Sequence, residues 1–147
     1  MYIDAQGLFS DNQALTSTAV ATNVIDLGAT NTLKKYFDGE ELVVAISVDV
    51  AADAASGDET YAFGIETDDN TGLSSPTVLV SRSISRTALT VNSLHVIPIP
   101  MGQDVERYLG VRYTLGGTTP SITVTTYLIP SSGLDKFKPY SKGYTIS

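Results

Sequence analysis

The sequence contains no cysteine and no tryptophan, and it has a single histidine. Without cysteine, neither disulfides nor thiolate metal sites can support the fold, and redox compartment cannot be read from it. One histidine, His95, leaves nucleophilic catalysis short of parts: there is no cysteine nucleophile and no Gly-x-Ser-x-Gly turn. Long apolar runs are also missing. The longest, LVVAISV (42–48) and SLHVIPIP (93–100), fall well below the roughly 20 residues that cross a bilayer, so no membrane partner is expected. The opening MYIDAQGLFSDNQ carries no basic charge and no apolar centre, so a secretory signal is not expected there. Base is scarce as well. Nine Lys and Arg face 16 Asp and Glu, a net charge of −7, which argues against nucleic acid because phosphate contacts need clustered bases. The expectation is a soluble protein used without export.

What the chain has in abundance is alternation. In ELVVAISVDV, Leu42, Val44, Ile46, Val48 and Val50 share one face, opposite Val43, Ala45, Ser47 and Asp49. YAFGIET aligns Tyr61, Phe63 and Ile65; TVLVSRSIS groups Val78 and Val80 with Arg82; YLGVRYTL aligns Leu109, Val111, Tyr113 and Leu115. SITVTTYLIP separates Ile122, Val124, Thr126 and Leu128 from Thr123, Thr125, Tyr127 and Ile129. Period two with β-branched and aromatic residues predicts strands. Between these runs lie clusters of Gly, Pro, Ser and Asp: DAASGDE (53–59), DDNTGLSSP (68–76), PMGQD (100–104), GGTTP (116–120) and PSSG (130–133). With VIDL and an N-terminal strand near YIDAQGLF, the count reaches about eight. The expected fold is therefore an all-β, jelly-roll-like sandwich of antiparallel strands. One segment, TNTLKKYFD (30–38), reads as a short helical turn. At 147 residues the chain is one domain's worth, enough to bury roughly 70% of its extended surface. The division expected is a body over 1–133 and a C-terminal arm over 134–147. The body holds 15 acids against 6 bases, −9, and the tail three lysines against Asp135, +2.

Candidate chemistry is thin. VIDLGATNT (24–32) is similar to the phosphate-contacting hairpin of the actin and heat-shock ATPases, and YTLGGTTP (113–120) to its partner loop. Thr114 stands where a magnesium-positioning Asp would be needed, and the chain is too short for two lobes, so the match is set aside. Asp26 is expected instead to accept backbone hydrogen bonds in the following turn. ETDDNTG (66–72) offers Glu66, Asp68 and Asn70 at alternating ligand spacing, but its Gly is one residue late and no closing Glu follows, which favours a solvated hairpin tip. SGDE (56–59) reads as a charged turn that keeps a sheet edge soluble. Asp104 and Glu106 lie two apart without any sign of a sugar cleft, and Glu106 and Arg107 read as ion-pair formers. His95 is expected to be a partly buried strand histidine bonded to a neighbour. No catalytic group, cofactor or metal site is expected. Protein contacts are the better use of what remains: Tyr2, Ile3, Leu8 and Phe9 in the apolar N-terminus, Tyr108 and Arg112 on one strand face, and Phe137, Tyr140 and Tyr144 interleaved with the tail lysines.

SDNQALTSTAVATNVIDLGA (10–29), SSPTVL (74–79) and DVERYLGVRYTLGG (104–117) together give the chain a family likeness. It resembles the jelly-roll capsid cement, or decoration, proteins of short-tailed bacteriophages from its N-terminus to about Pro130. The resemblance implies a structural virion protein on the outer surface of the capsid, made in the host cytoplasm and without catalytic activity. Its partners would be the phage major capsid protein, whose subunits it bridges after the shell expands, and copies of itself, a dimer being favoured over a trimer. The Ser10–Gly28 segment and the Glu106–Tyr113 strand carry the family pattern and are assigned first to the framework of the fold. The tail after Gly133 departs from that pattern. The alternative is a carbohydrate-binding β-sandwich module, which would need a platform of exposed aromatics that this tryptophan-free chain does not advertise.

Overall fold

The structure is a computed structural model that describes residues 7–27, 42–100 and 105–130. Nine strands run through them: β1 (Leu8–Leu15), β2 (Ala19–Val20), β3 (Ile25–Asp26), β4 (Leu42–Val50), β5 (Thr60–Asp68), β6 (Thr77–Ile84), β7 (Leu94–Pro98), β8 (Tyr108–Gly116) and β9 (Ile122–Pro130). All pair antiparallel, in two sheets ordered β1-β9-β4-β7 and β2-β8-β5-β6, with β3 also on β8. β2 meets Arg112 and Tyr113 while β3 meets Tyr108 and Leu109, so the two short strands fill one position along β8. The nine strands therefore occupy eight places. Apart from the β5–β6 hairpin and the β2–β3 step, every connection crosses between the sheets, which is the jelly-roll arrangement.

The core lies where the alternation predicts it. Val44, Ile46 and Val48 of β4, with Ile122 and Val124 of β9 beside them, face Tyr61, Phe63 and Ile65 of β5 and Leu109, Val111 and Tyr113 of β8 in one buried cluster. Phe63 and Tyr113 meet edge to face, ring centroids 5.8 Å apart. A second cluster packs on the outer side of the first sheet, where Val43, Ala45, Tyr127 and Ile129 are buried together with Leu8 and Val96. The second face of β4 is thus apolar and covered at its start, and turns polar toward its end at Ser47 and Asp49.

Three expectations change. The N-terminal strand runs on to Leu15, well beyond YIDAQGLF, whose first five residues lie outside the described residues, and two register shifts against β9, between Leu8 and Ser10 and between Ser10 and Gln13, make it irregular. In β6, Ile65 faces Val80 but Glu66 faces Val78, so a bulge at Leu79 puts the two valines on opposite faces. Val80 packs on the core, and Val78 is 53% exposed. The charged turn SGDE is no mere solvated edge: Glu59 is 1% exposed, and its carboxylate accepts from the amides of Ser56 and Gly57 at 2.8 and 3.0 Å. Beside it, Gly117 is required by its backbone. Its φ is +89°, and a Cβ there would press on the backbone of Asp58 and Glu59. The helical turn read at 30–38, the 101–104 part of PMGQD and the 134–147 arm lie outside the described residues.

Candidate functional site

Glycine sets the geometry of the outer face of the second sheet. In the β5–β8 ladder Gly64 sits opposite Arg112 and Gly110 opposite Glu66, so each long side chain faces a position without one. The diagonal pair fills the space. Arg112 Nε donates to both Glu66 carboxylate oxygens, at 2.8 and 3.0 Å, and its Nη2 donates to the Leu73 carbonyl at 3.0 Å. Glu66 is nearly enclosed, with 5% of its side chain exposed against 30% for Arg112. Above Gly110, the Leu73 side chain takes the room that a Cβ would need, at 2.5 Å from the ideal Cβ position. DDNTGLSSP is the solvated tip of the β5–β6 hairpin, exposed from Asp69 to Gly72, but it is not free. It folds back and plugs the sheet with Leu73, which adopts a φ of +49°. Arg112, named as a candidate for a partner contact, holds this loop from within the chain.

The loop's own polar groups complete the anchor. Asp68 Oδ2 accepts from the Ser75 amide at 3.0 Å, and Asn70 Oδ1 from the Gly72 amide at 2.8 Å. The Ser75 amide, the largest influence, keeps the Asp68 carboxyl below its ordinary range. The residues noticed at ligand spacing, Glu66, Asp68 and Asn70, are each claimed by a different partner within the chain, Arg112, Ser75 and Gly72. A different trio does come together. Asp68, Asp69 and Glu106 each place one carboxylate oxygen within 4.8 Å of the others. Thr67 seats Glu106 there, its hydroxyl accepting the Glu106 amide at 2.7 Å and donating to the Tyr108 carbonyl at 2.9 Å. Glu106 is remote from the other two in sequence, and no local spacing signals the grouping.

Asp26 is engaged across the sheet, and the following turn, in which it is expected to accept backbone hydrogen bonds, lies from Gly28 on outside the described residues. The Asp26 carboxylate faces Arg107, whose Nε and Nη2 lie 3.0 and 3.1 Å from its two oxygens. The β3–β8 register, with Asp26 opposite Tyr108, brings these residues together. Arg107 also stands over the Tyr108 ring, 5.1 Å from its centroid, so half-buried Tyr108 is covered from within the chain. The ion pair expected of Arg107 is present, about half exposed on both sides.

Phe9, expected to meet a partner, is fully buried in the core because β1 turns it inward. Leu8, its neighbour, is half-buried on the outer face against Val43, Ala45, Tyr127 and Ile129. Tyr2, Ile3, Phe137, Tyr140 and Tyr144 lie outside the described residues. His95 Nε2 is 3.0 Å from Ser93 Oγ, and burial lowers its pKa. It is the bonded strand histidine that its surroundings suggested.

The segment Ser-Asp-x-Gln proves to be framework. Tyr113 Oη donates to Thr126 Oγ1 at 2.8 Å and lies 2.7 Å from Ser10 Oγ, which faces Gln13 Oε1 at 2.6 Å. Gln13 then accepts the Thr22 amide at 3.0 Å and donates to the Val20 carbonyl at 3.1 Å. One chain of hydrogen bonds thus ties β1, β8 and β9 to the β2–β3 step. The residues that carry the likeness hold the sandwich shut.

Taken together, these residues define an antiparallel jelly-roll sandwich whose distinctive polar side chains are engaged in bracing it. The chain belongs to the Bbp16 family, a phage-related family whose model matches residues 9–126, nearly the whole sandwich. Comparison with curated proteins returned no match.

Proposed function

We propose that this chain is a capsid cement protein, a structural virion protein that binds the outside of a bacteriophage shell and bridges major capsid protein subunits. The observation that carries the reading is a jelly-roll sandwich belonging to a phage-related family. The cement-protein likeness of 10–29, 74–79 and 104–117 falls on that same framework. The internal use of Arg112, Glu66, Tyr113 and Asp26 supports it further, since a body so braced is suited to bearing load.

The mechanism follows from interface physics. A bridging copy gains from effective concentration once one end is bound, and many weak, identical sites on a closed shell sum to a strong constraint. Self-association across a two-fold contact would let one assembly span neighbouring coat subunits.

Co-sedimentation of the purified chain with expanded coat shells tests the reading. Saturable binding that raises the shell's resistance to heat is expected. Absence of shell binding, with saturable binding to an oligosaccharide, would replace it with the carbohydrate-binding alternative. Deletion of 134–147 is expected to weaken shell binding, and unchanged affinity would remove the arm from the contact.

A further inference from the structure

Residues 70–103 contain no Asp and no Glu, yet include Arg82, Arg86 and His95. In a chain of net charge −7 such a stretch stands apart, and the fold gathers its strands on one side. β6 ends the second sheet and β7 ends the first, and Arg82 Nη1 bridges them by donating to the Val96 carbonyl at 3.1 Å. Among the described residues the ion pairs are Arg107–Asp26 and Arg112–Glu66, so the Arg82 charge is met only by a neutral carbonyl. Arg86 turns away, toward the Glu59 carbonyl at 3.5 Å, with Asp58 close enough to feel its charge.

β6 is also open. Among the described residues it pairs only with β5, and Thr77, Val78, Ser81, Arg82 and Ser83 are exposed. An edge strand presents unpaired backbone donors and acceptors, and proteins usually blunt it with Lys, Pro or a bulge. β6 has no Lys and no Pro, and its bulge lies near one end, which leaves Val80 to Ile84 in regular register with Ile65 to Tyr61.

We infer that β6 accepts an extended, carboxylate-bearing segment of a partner protein as an added strand, with Arg82 receiving the carboxylate. Backbone pairing would supply affinity and the lone guanidinium the selectivity. A second copy meeting β6 with its own β6 would bring two Arg82 guanidiniums to one seam, so charge favours the acidic partner. The inference rests on the cement reading, in which that partner is a coat subunit.

The test uses the full chain and expanded coat shells. Arg82→Glu and Ser83→Glu, each checked for native circular dichroism, are expected to bind about tenfold more weakly than the parent. Arg82→Lys is expected to stay within about threefold, since it keeps the charge. In the parent, backbone amides of β6 are expected to exchange more slowly once the shell is bound. Parental binding with unchanged β6 exchange, or unaltered affinity in both Glu variants, would overturn the inference and leave the cement reading standing. A parent that does not bind shells would remove both. If neither Glu variant folds, the amide exchange of the parent decides.

Discussion

Tyr113 carries a polar hydroxyl into the centre of the sandwich, and burial sets its cost. Thr126 and Ser10 supply the partners, but desolvation still dominates and pushes the phenol up to about 12 from an ordinary 10.0. The unfolded chain therefore gives up this proton first. Stability from Tyr113 is whole below pH about 10 and is lost as the pH rises toward about 12. Burial raises Tyr61 and Tyr127 as well, in the same direction. Alkaline titration followed by tyrosinate absorbance and circular dichroism should show the fold giving way across that window. Tyr113→Phe should make the loss shallower. At neutral pH the same substitution should cost about 1–3 kcal/mol in a denaturant titration, because buried Ser10 and Thr126 each lose a partner. By residue type alone, nothing in the strand YLGVRYTL marks Tyr113 off from Tyr108; their positions do. One faces in and the other out, and alternation is enough to say so. What alternation could not say is that Ser10, 103 positions away, would meet its hydroxyl.

Strands and loops show a similar division. β4, β5, β8 and β9 are legible because each buries a face of alternating apolar residues, and that requirement acts within a single strand. The bulge in β6 was illegible, since it is a relation between Val78, Val80 and the partner residues Ile65 and Glu66. The plugged loop was half legible. Gly64 and Gly110 were the available signal that something else must fill the outer face, but the pairing that sets Gly64 opposite Arg112 and Gly110 opposite Glu66 belongs to the sheet. Arg112→Ala should free this loop. With Glu66 left enclosed and unpaired, the cost should be about 1–3 kcal/mol, discounted from a fully buried pair because Arg112 is partly exposed. Amide exchange and protease cleavage should quicken in residues 69–76 while β4 and β9 keep their protection. Uniform quickening across both sheets would show that Arg112 braces more than this loop.

One cluster of buried residues runs from β1 through both sheets to β9, so the two sheets share their main core. Heating should therefore produce one cooperative transition, with the circular dichroism and tyrosine fluorescence curves superimposed. Separate curves would mean that the second cluster, around Val43 and Tyr127, melts independently. Charge follows the same whole-body logic. The acids are spread over the body, whereas the acid-free segment 70–103 supplies both outer strands on one side. The sequence contains this asymmetry as a run, and the fold turns the run into a surface.

The sequence by itself determined that this is an all-β chain, which residues of most strands face inward, and that no familiar catalytic constellation is spelled out. Those properties depend on residue type and local period, which survive without knowledge of partners. Only the tertiary structure decided that Phe9 is core, that Asp26 meets Arg107, that Arg112 holds Leu73 over Gly110, and that β6 has an open rim among the described residues. Each of those depends on which strands lie side by side. Pairing across dozens of residues is fixed by the closure of the whole sandwich, not by any short stretch of chain.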